Sequence, residues 1–156
     1  MSPSLRPLSP DDLPRLEALW RDYLTELHVY DPTIDLELAF DATWFEKPGL
    51  LEPLAIETGG VLAGFLMLTG REYAEALGED ADHHVYELFV VADQRGTGLA
   101  RSAVRSAIQE RPGWWSLNRY AEDPRTKKFW DRLLAEWSPE VRRVSELRVG
   151  YRFQVS

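Results

Sequence analysis

The chain contains no cysteine, which removes disulfides, thiolate metal sites and a cysteine nucleophile together. Histidine is scarce too. Of its three residues, His83 and His84 are adjacent, so their side chains diverge in an extended segment; no third ligand follows at suitable spacing, and no metal site is expected. No stretch approaches the roughly 20 apolar residues of a membrane helix. Met1 to Pro10 lacks the basic start and apolar run of an export signal. A soluble, cytoplasmic protein with no membrane partner is expected. Internal repeats, low-complexity tracts and Gly/Ser linkers are missing as well. With 156 residues, 44% of them hydrophobic and 12% aromatic, there is material for one core and too little for two ordinary domains. Residues 1–156 therefore read as a single domain.

Positive charge is in short supply, and the net charge of −8 disfavours nucleic acid, as does the lack of any basic and aromatic stripe. The average conceals a division. Residues 1–93 carry 5 Lys/Arg against 19 Asp/Glu, whereas residues 94–156 carry 13 against 7. A polyanion suits the second half and a cationic partner the first, unless these are only solvated faces.

Leu5 to Leu8 fits a short strand. Ser9-Pro10-Asp11-Asp12 then supplies a cap, an N1 proline and an acid at the third position, opening a helix whose apolar residues Leu13, Leu16, Trp20, Tyr23, Leu24 and Leu27 keep helical spacing up to Tyr30-Asp31-Pro32. Leu36, Phe40 and Trp44 predict a second, shorter helix over 36–45. Leu54–Thr58, Gly59-Gly60 and Val61–Thr69 form a hairpin pattern. Residues 71–84 are polar and acidic, ambiguous between a loop and a helical turn, and are taken as a loop. Val85–Ala92 is a central strand, apolar on both faces except at Glu87. A helix over 97–111 stops at Pro112-Gly113. A strand follows over Trp114–Asn118, then a helix from Asp123-Pro124 to Trp137, and two closing strands within Val141–Val155.

The chemistry concentrates between the central strand and the next helix, in Gln94-Arg95-Gly96-Thr97-Gly98-Leu99-Ala100. A helix start presents free N–H groups and a positive dipole end, and Gly96 and Gly98 carry no Cβ to keep an anion away. A Rossmann site would want glycine where Arg101 stands, and a Walker loop would need Gly-Lys-Ser/Thr. A turn that only needs glycine geometry stays open.

Arg95-Gly96-Thr97-Gly98-Leu99-Ala100 resembles the Arg/Gln-x-x-Gly-x-Gly/Ala signature of the GNAT acetyltransferase superfamily, and Tyr86-Glu87-Leu88-Phe89-Val90 resembles that superfamily's fourth strand. The resemblance spans most of the chain in element order. Residues 112–130 are similar to an uncharacterised bacterial branch of predicted acetyltransferases. The resemblance implies an α/β GNAT fold: a mixed, mostly antiparallel sheet of six or seven strands, about four flanking helices, and a splay between strands four and five. It implies acetyl-CoA as co-substrate, with pantetheine on Phe89, Val90 and Val91 and phosphates on Arg95, Gly96, Thr97, Gly98, Leu99 and Ala100, with Gln94 and Arg101 adjacent. It leaves a homodimer open.

Two departures stand out. Asp123 occupies a place where the family often has Asn, and Pro124 after it favours a helix cap. Trp130 falls where a tyrosine acid is frequent, and an indole is no useful acid. Glu87 is the candidate base, because burial raises a carboxyl toward neutrality; the other reading is a structural carboxylate paired with an arginine or backbone group. The acceptor is expected to be an amine, cationic if it suits the acidic half, met by Tyr30 and Glu87 and by an anionic mouth of Asp31, Glu72, Glu75 and Glu79. Direct attack in a ternary complex is the expected route, with solvent or Tyr120 protonating the thiolate. The alternative is a non-catalytic CoA-binding sensor or interaction module.

Overall fold

The computed structural model describes residues 4–156. Seven strands form one sheet: β1 (Ser4–Pro7), β2 (Leu51–Thr58), β3 (Val61–Thr69), β4 (His83–Val90), β5 (Gly113–Tyr120), β6 (Glu140–Arg143) and β7 (Arg148–Val155). Their order is β1-β2-β3-β4-β5-β7-β6, with every pairing antiparallel except β4 with β5. Four helices flank it: α1 (Leu13–Tyr30), α2 (Arg71–Ala76), α3 (Leu99–Gln109) and α4 (Pro124–Leu134). This is the fold class expected from the sequence.

Apolar alternation divides the core into two layers. One cluster joins Leu16, Leu19 and Tyr23 of α1, with Phe40 and Trp44, to Ala55, Phe65, Met67 and Phe89 on one sheet face. On the other face α3 and α4 bring Val104, Ile108, Trp130 and Leu134 against Leu54, Leu66, Val85, Trp115 and Phe153. Gly59 and Gly60 take φ of 61° and 74°, the left-handed turn that closes the β2–β3 hairpin.

The 36–45 helix does not form. Asp35 and Asp41 each turn a carboxylate onto a backbone N–H two residues ahead, and only a 3-10 turn over Ala42–Glu46 results. Short polar side chains offer the backbone this local alternative to a helix. Trp44 and Phe40 still reach the core, while Leu36 and Leu38 stay exposed. The 71–84 segment is more ordered than expected: it holds α2 and the start of β4. Arg71 gathers Glu75, Asp80 and Asp82, and Asp82 also accepts from the Trp114 amide.

Candidate active site

The parallel pairing of β4 with β5 covers only His83–Val85 against Trp115–Leu117. Beyond that point the strands part. β5 continues along β7, where Tyr120 lies directly opposite Arg148, and β4 continues along β3 alone. The splay begins where β4 bulges: Leu68 pairs with Val85 and Met67 with Glu87, leaving Tyr86 as the extra residue. A bulge re-aims side chains. Val85 packs on the α3/α4 face, whereas Tyr86 lies against Trp44 at 5.5 Å and Glu87 comes under the Tyr23 side chain of α1. A lone acid in an apolar strand is thereby brought to the α1 face beside the fork, near Tyr23 and Arg148.

Glu87 is half-buried, and its crowded surroundings push its carboxyl up to about 7 against the opposing pull of the Tyr23 hydroxyl and the Arg148 guanidinium. Burial and the adjacent Glu87 hold the Tyr23 phenol well above its ordinary value. The far wall is a polar cluster. Arg148 donates from Nη2 to the Tyr120 hydroxyl at 3.2 Å and lies over the Tyr120 ring at 5.2 Å. Tyr120 in turn donates to Asp31 Oδ2 at 3.4 Å, and Tyr30 stacks on its ring at 6.0 Å. Such a site can take a proton near neutrality at Glu87 and can return one from a phenol whose pKa burial raises.

Next to the fork lies the glycine-bearing turn. Gly98 caps α3 at φ 86° and Gly96 has φ 76°; a Cβ added to either would meet no atom within 4 Å. Both glycines face open space. Among the described residues, the amides of Gly96, Thr97, Gly98, Ala100 and Arg101 have no acceptor, and the Leu99 amide has only a long contact of 3.3 Å to Thr97 Oγ1. Aligned free N–H groups at a helix start attract an anion.

The other expected contacts divide by direction. Gln94 and Arg95 spend their amides on the carbonyls of Val91 and Ala92. Arg95 does not point outward: it donates to the Val90 carbonyl, pairs with Glu26 and covers the Phe89 ring. Glu26 also holds Arg125 at 3.3 Å, tying α1 to α4 beside the turn. Phe89, Val90 and Leu99 turn their side chains into the core; Val91 is half-buried and gives its amide to Ala63. Arg101 is exposed on the first turn of α3.

Asp123 accepts from the amides of Arg125 and Thr126 at 3.0 and 3.3 Å, the cap that the Asp-Pro order favours. Trp130 is buried in the α4 core face. The expected anionic mouth is mostly spent: Asp31 is buried and accepts from Thr33 and Tyr120, Glu75 pairs with Arg71, and Glu79 accepts from Asn118. Only Glu72 of that set stays exposed without a partner among the described residues. Tyr23 and Arg148 were not singled out in the sequence, because only the β5–β7 register and the packing of α1 bring them to Glu87. A groove of about 540 Å³ lies elsewhere, between Pro7–Pro10, Trp44, Thr69, His83 and Arg111, and includes neither Glu87 nor the turn.

The site thus combines a parallel fork, a helix start with open amides and a carboxyl pushed up toward neutrality. The Acetyltransferase (GNAT) family model matches residues 14–134. The chain belongs to that family. Solved structures share its fold: an acetyltransferase from Thermus thermophilus superposes with a TM-score of 0.77 at 17% identity, over 99% of this chain and 98% of that one. The PaiA N-acetyltransferase from Thermoplasma acidophilum, in complex with coenzyme A, gives 0.69 at 12% over 99% of both chains. The ribosomal-protein-S18-alanine N-acetyltransferase from Escherichia coli gives 0.61 at 12%, over 98% of this chain and 92% of that one. No match is found among curated proteins.

Proposed function

We propose that the chain transfers the acetyl group of acetyl-CoA to an amine by direct attack within a ternary complex. The observation that carries this reading is Glu87, a carboxyl near 7 beside the length of β4 that β5 leaves unpaired. An alkylamine with a pKa near 10.4 is deprotonated in about one molecule in a few thousand at pH 7, a handicap of roughly 4–5 kcal/mol. Glu87 accepts that proton, directly or through water. The amine nitrogen bonds to the thioester carbonyl carbon, the C–S bond breaks, and the thiolate leaves with a proton from Tyr120 or water. The pyrophosphate of CoA rests on the open amides of Gly96 to Arg101, and pantetheine runs along the backbone of Phe89 to Val91.

The CoA complex of the Thermoplasma acidophilum protein supports the choice of co-substrate. Glu87→Gln separates an enzyme from a non-catalytic CoA sensor. With acetyl-CoA and a panel of amines, the enzyme loses about 10²- to 10⁴-fold in kcat while its thermal shift with acetyl-CoA persists. A wild-type chain that binds acetyl-CoA and releases no thiol with any amine is the sensor. A thermal shift with NAD and none with acetyl-CoA contradicts both.

A further inference from the structure

Arg148 is an exposed cation at the start of β7, held beside the fork by Tyr120. Among the described residues no carboxylate lies within 4.0 Å of it; its one hydrogen bond from the side chain goes to the Tyr120 hydroxyl, and the Tyr120 ring supports its guanidinium plane. An arginine has five N–H donors, so most of the planar fork that matches a carboxylate stays unused. Its position is fixed from both sides, because Arg148 and Tyr120 are cross-strand partners at the ends of β7 and β5. Several other arginines are neutralised within the chain: Arg6, Arg71, Arg95, Arg111 and Arg152 all hold acidic partners. Arg148 and Glu87 feel each other's charge without touching.

We infer that the acceptor is an amino carboxylate, an amine that carries its own carboxylate, with Arg148 binding that carboxylate while Glu87 receives the amine. The inference rests on the transfer reading above and narrows it. Of the acids expected to meet a polycation, Asp31, Glu75 and Glu79 are engaged within the chain, which leaves Glu72 alone. A plain polyamine entering the fork meets a fixed positive charge. A zwitterion meets a cation for its carboxylate and a proton acceptor for its ammonium group. The stacked rings of Tyr30 and Tyr120 form an aromatic wall beside it.

The test uses the common L-amino acids, their carboxamides and their decarboxylated amines as matched acceptors with acetyl-CoA. Thiol release gives kcat/KM, and isothermal titration of the same compounds into the enzyme–CoA complex gives binding without turnover. Free carboxylates are expected to exceed the matched amides by about 10- to 100-fold, the worth of a charge-assisted hydrogen-bonded pair. Arg148→Gln brings that ratio close to one, and Arg148→Lys, which keeps charge without the fork, restores part of it; thermal melts establish that both variants fold. Amides or decarboxylated amines that react as well as the carboxylates overturn the inference, and so does a ratio unchanged in Arg148→Gln. If no acceptor releases thiol but titration shows a carboxylate preference that Arg148→Gln abolishes, the transfer reading fails and the carboxylate site stands. If titration shows no such preference either, both fall.

Discussion

Glu87 destabilises the folded chain whenever it is ionised. Its carboxyl titrates at about 7 in the fork against an ordinary 4.5. Between those values the folded chain binds more protons than the unfolded one, so stability falls as pH rises and levels off above 7. The difference corresponds to roughly 3 kcal/mol. Glu87→Gln, which keeps shape and removes the charge, is therefore expected to raise the melting temperature of the chain at pH 8, with the gain shrinking toward zero below pH 4.5; equal melting curves at pH 8 would remove the case for a strained carboxylate. Carboxyls perturbed in this way cluster at functional sites. This residue was legible in the sequence because one acid stood in an otherwise apolar strand. Tyr23 and Arg148 were not, since a tyrosine on an amphipathic helix and an arginine at a hairpin look like ordinary core and surface. The sequence separations of 64 from Tyr23 to Glu87, and of 61 from Glu87 to Arg148, are closed only by packing and register. The inward turn of Arg95 onto Glu26 was equally hidden, because a local signature does not record a salt bridge to α1.

Among the elements, those with capping or turn chemistry at both ends matched their expected limits best. The Gly59-Gly60 hairpin, α3 ahead of Pro112-Gly113 and α4 behind Asp123-Pro124 all carried such punctuation. The 36–45 segment had helical spacing and an aspartate at its start, but Asp35 holds only a local turn and Asp41 caps the short 3-10 turn that forms in its place. α2 was missed for the opposite reason: it is short, polar and held by Arg71 pairing with Glu75, Asp80 and Asp82. The bulge at Tyr86 left no signal in the alternation pattern, because it moves one residue across the sheet without changing composition. The cap of α4 is open to direct measurement. Asp123 is buried and satisfies two amides, so Asp123→Ala costs about 1–2 kcal/mol, and Asp123→Asn, which keeps an acceptor oxygen, costs much less. For a chain of this size that loss lowers the melting temperature by several degrees, about 2–4 °C per kcal/mol. Asp123→Ala with an unchanged melting curve would mean that the carboxylate faces the fork instead of the helix.

On the scale of the whole molecule, the sheet divides the chemistry between the two halves of the sequence. The acidic half builds β1 to β4 and α1, and spends much of its charge on ion pairs such as Arg6 with Asp12 and Glu57. The basic half builds α3, α4 and the strands beyond the fork, and it places the open amides and Arg148 on the side where an anionic ligand would lie. The parallel β4–β5 step between the halves is what creates a cleft in an otherwise antiparallel sheet. No described helix is long and apolar enough to cross a membrane.

The central claim is that main-chain donors from Gly96 to Arg101 receive the diphosphate of CoA. Backbone amide spectra of the labelled chain, recorded with CoA and separately with pantetheine, test it most directly. The amides of Gly96, Thr97, Gly98, Ala100 and Arg101 are expected to shift with CoA and stay in place with pantetheine, which lacks the diphosphate, while Phe89 to Val91 respond to both. Saturating CoA that leaves those five amides unmoved would contradict it.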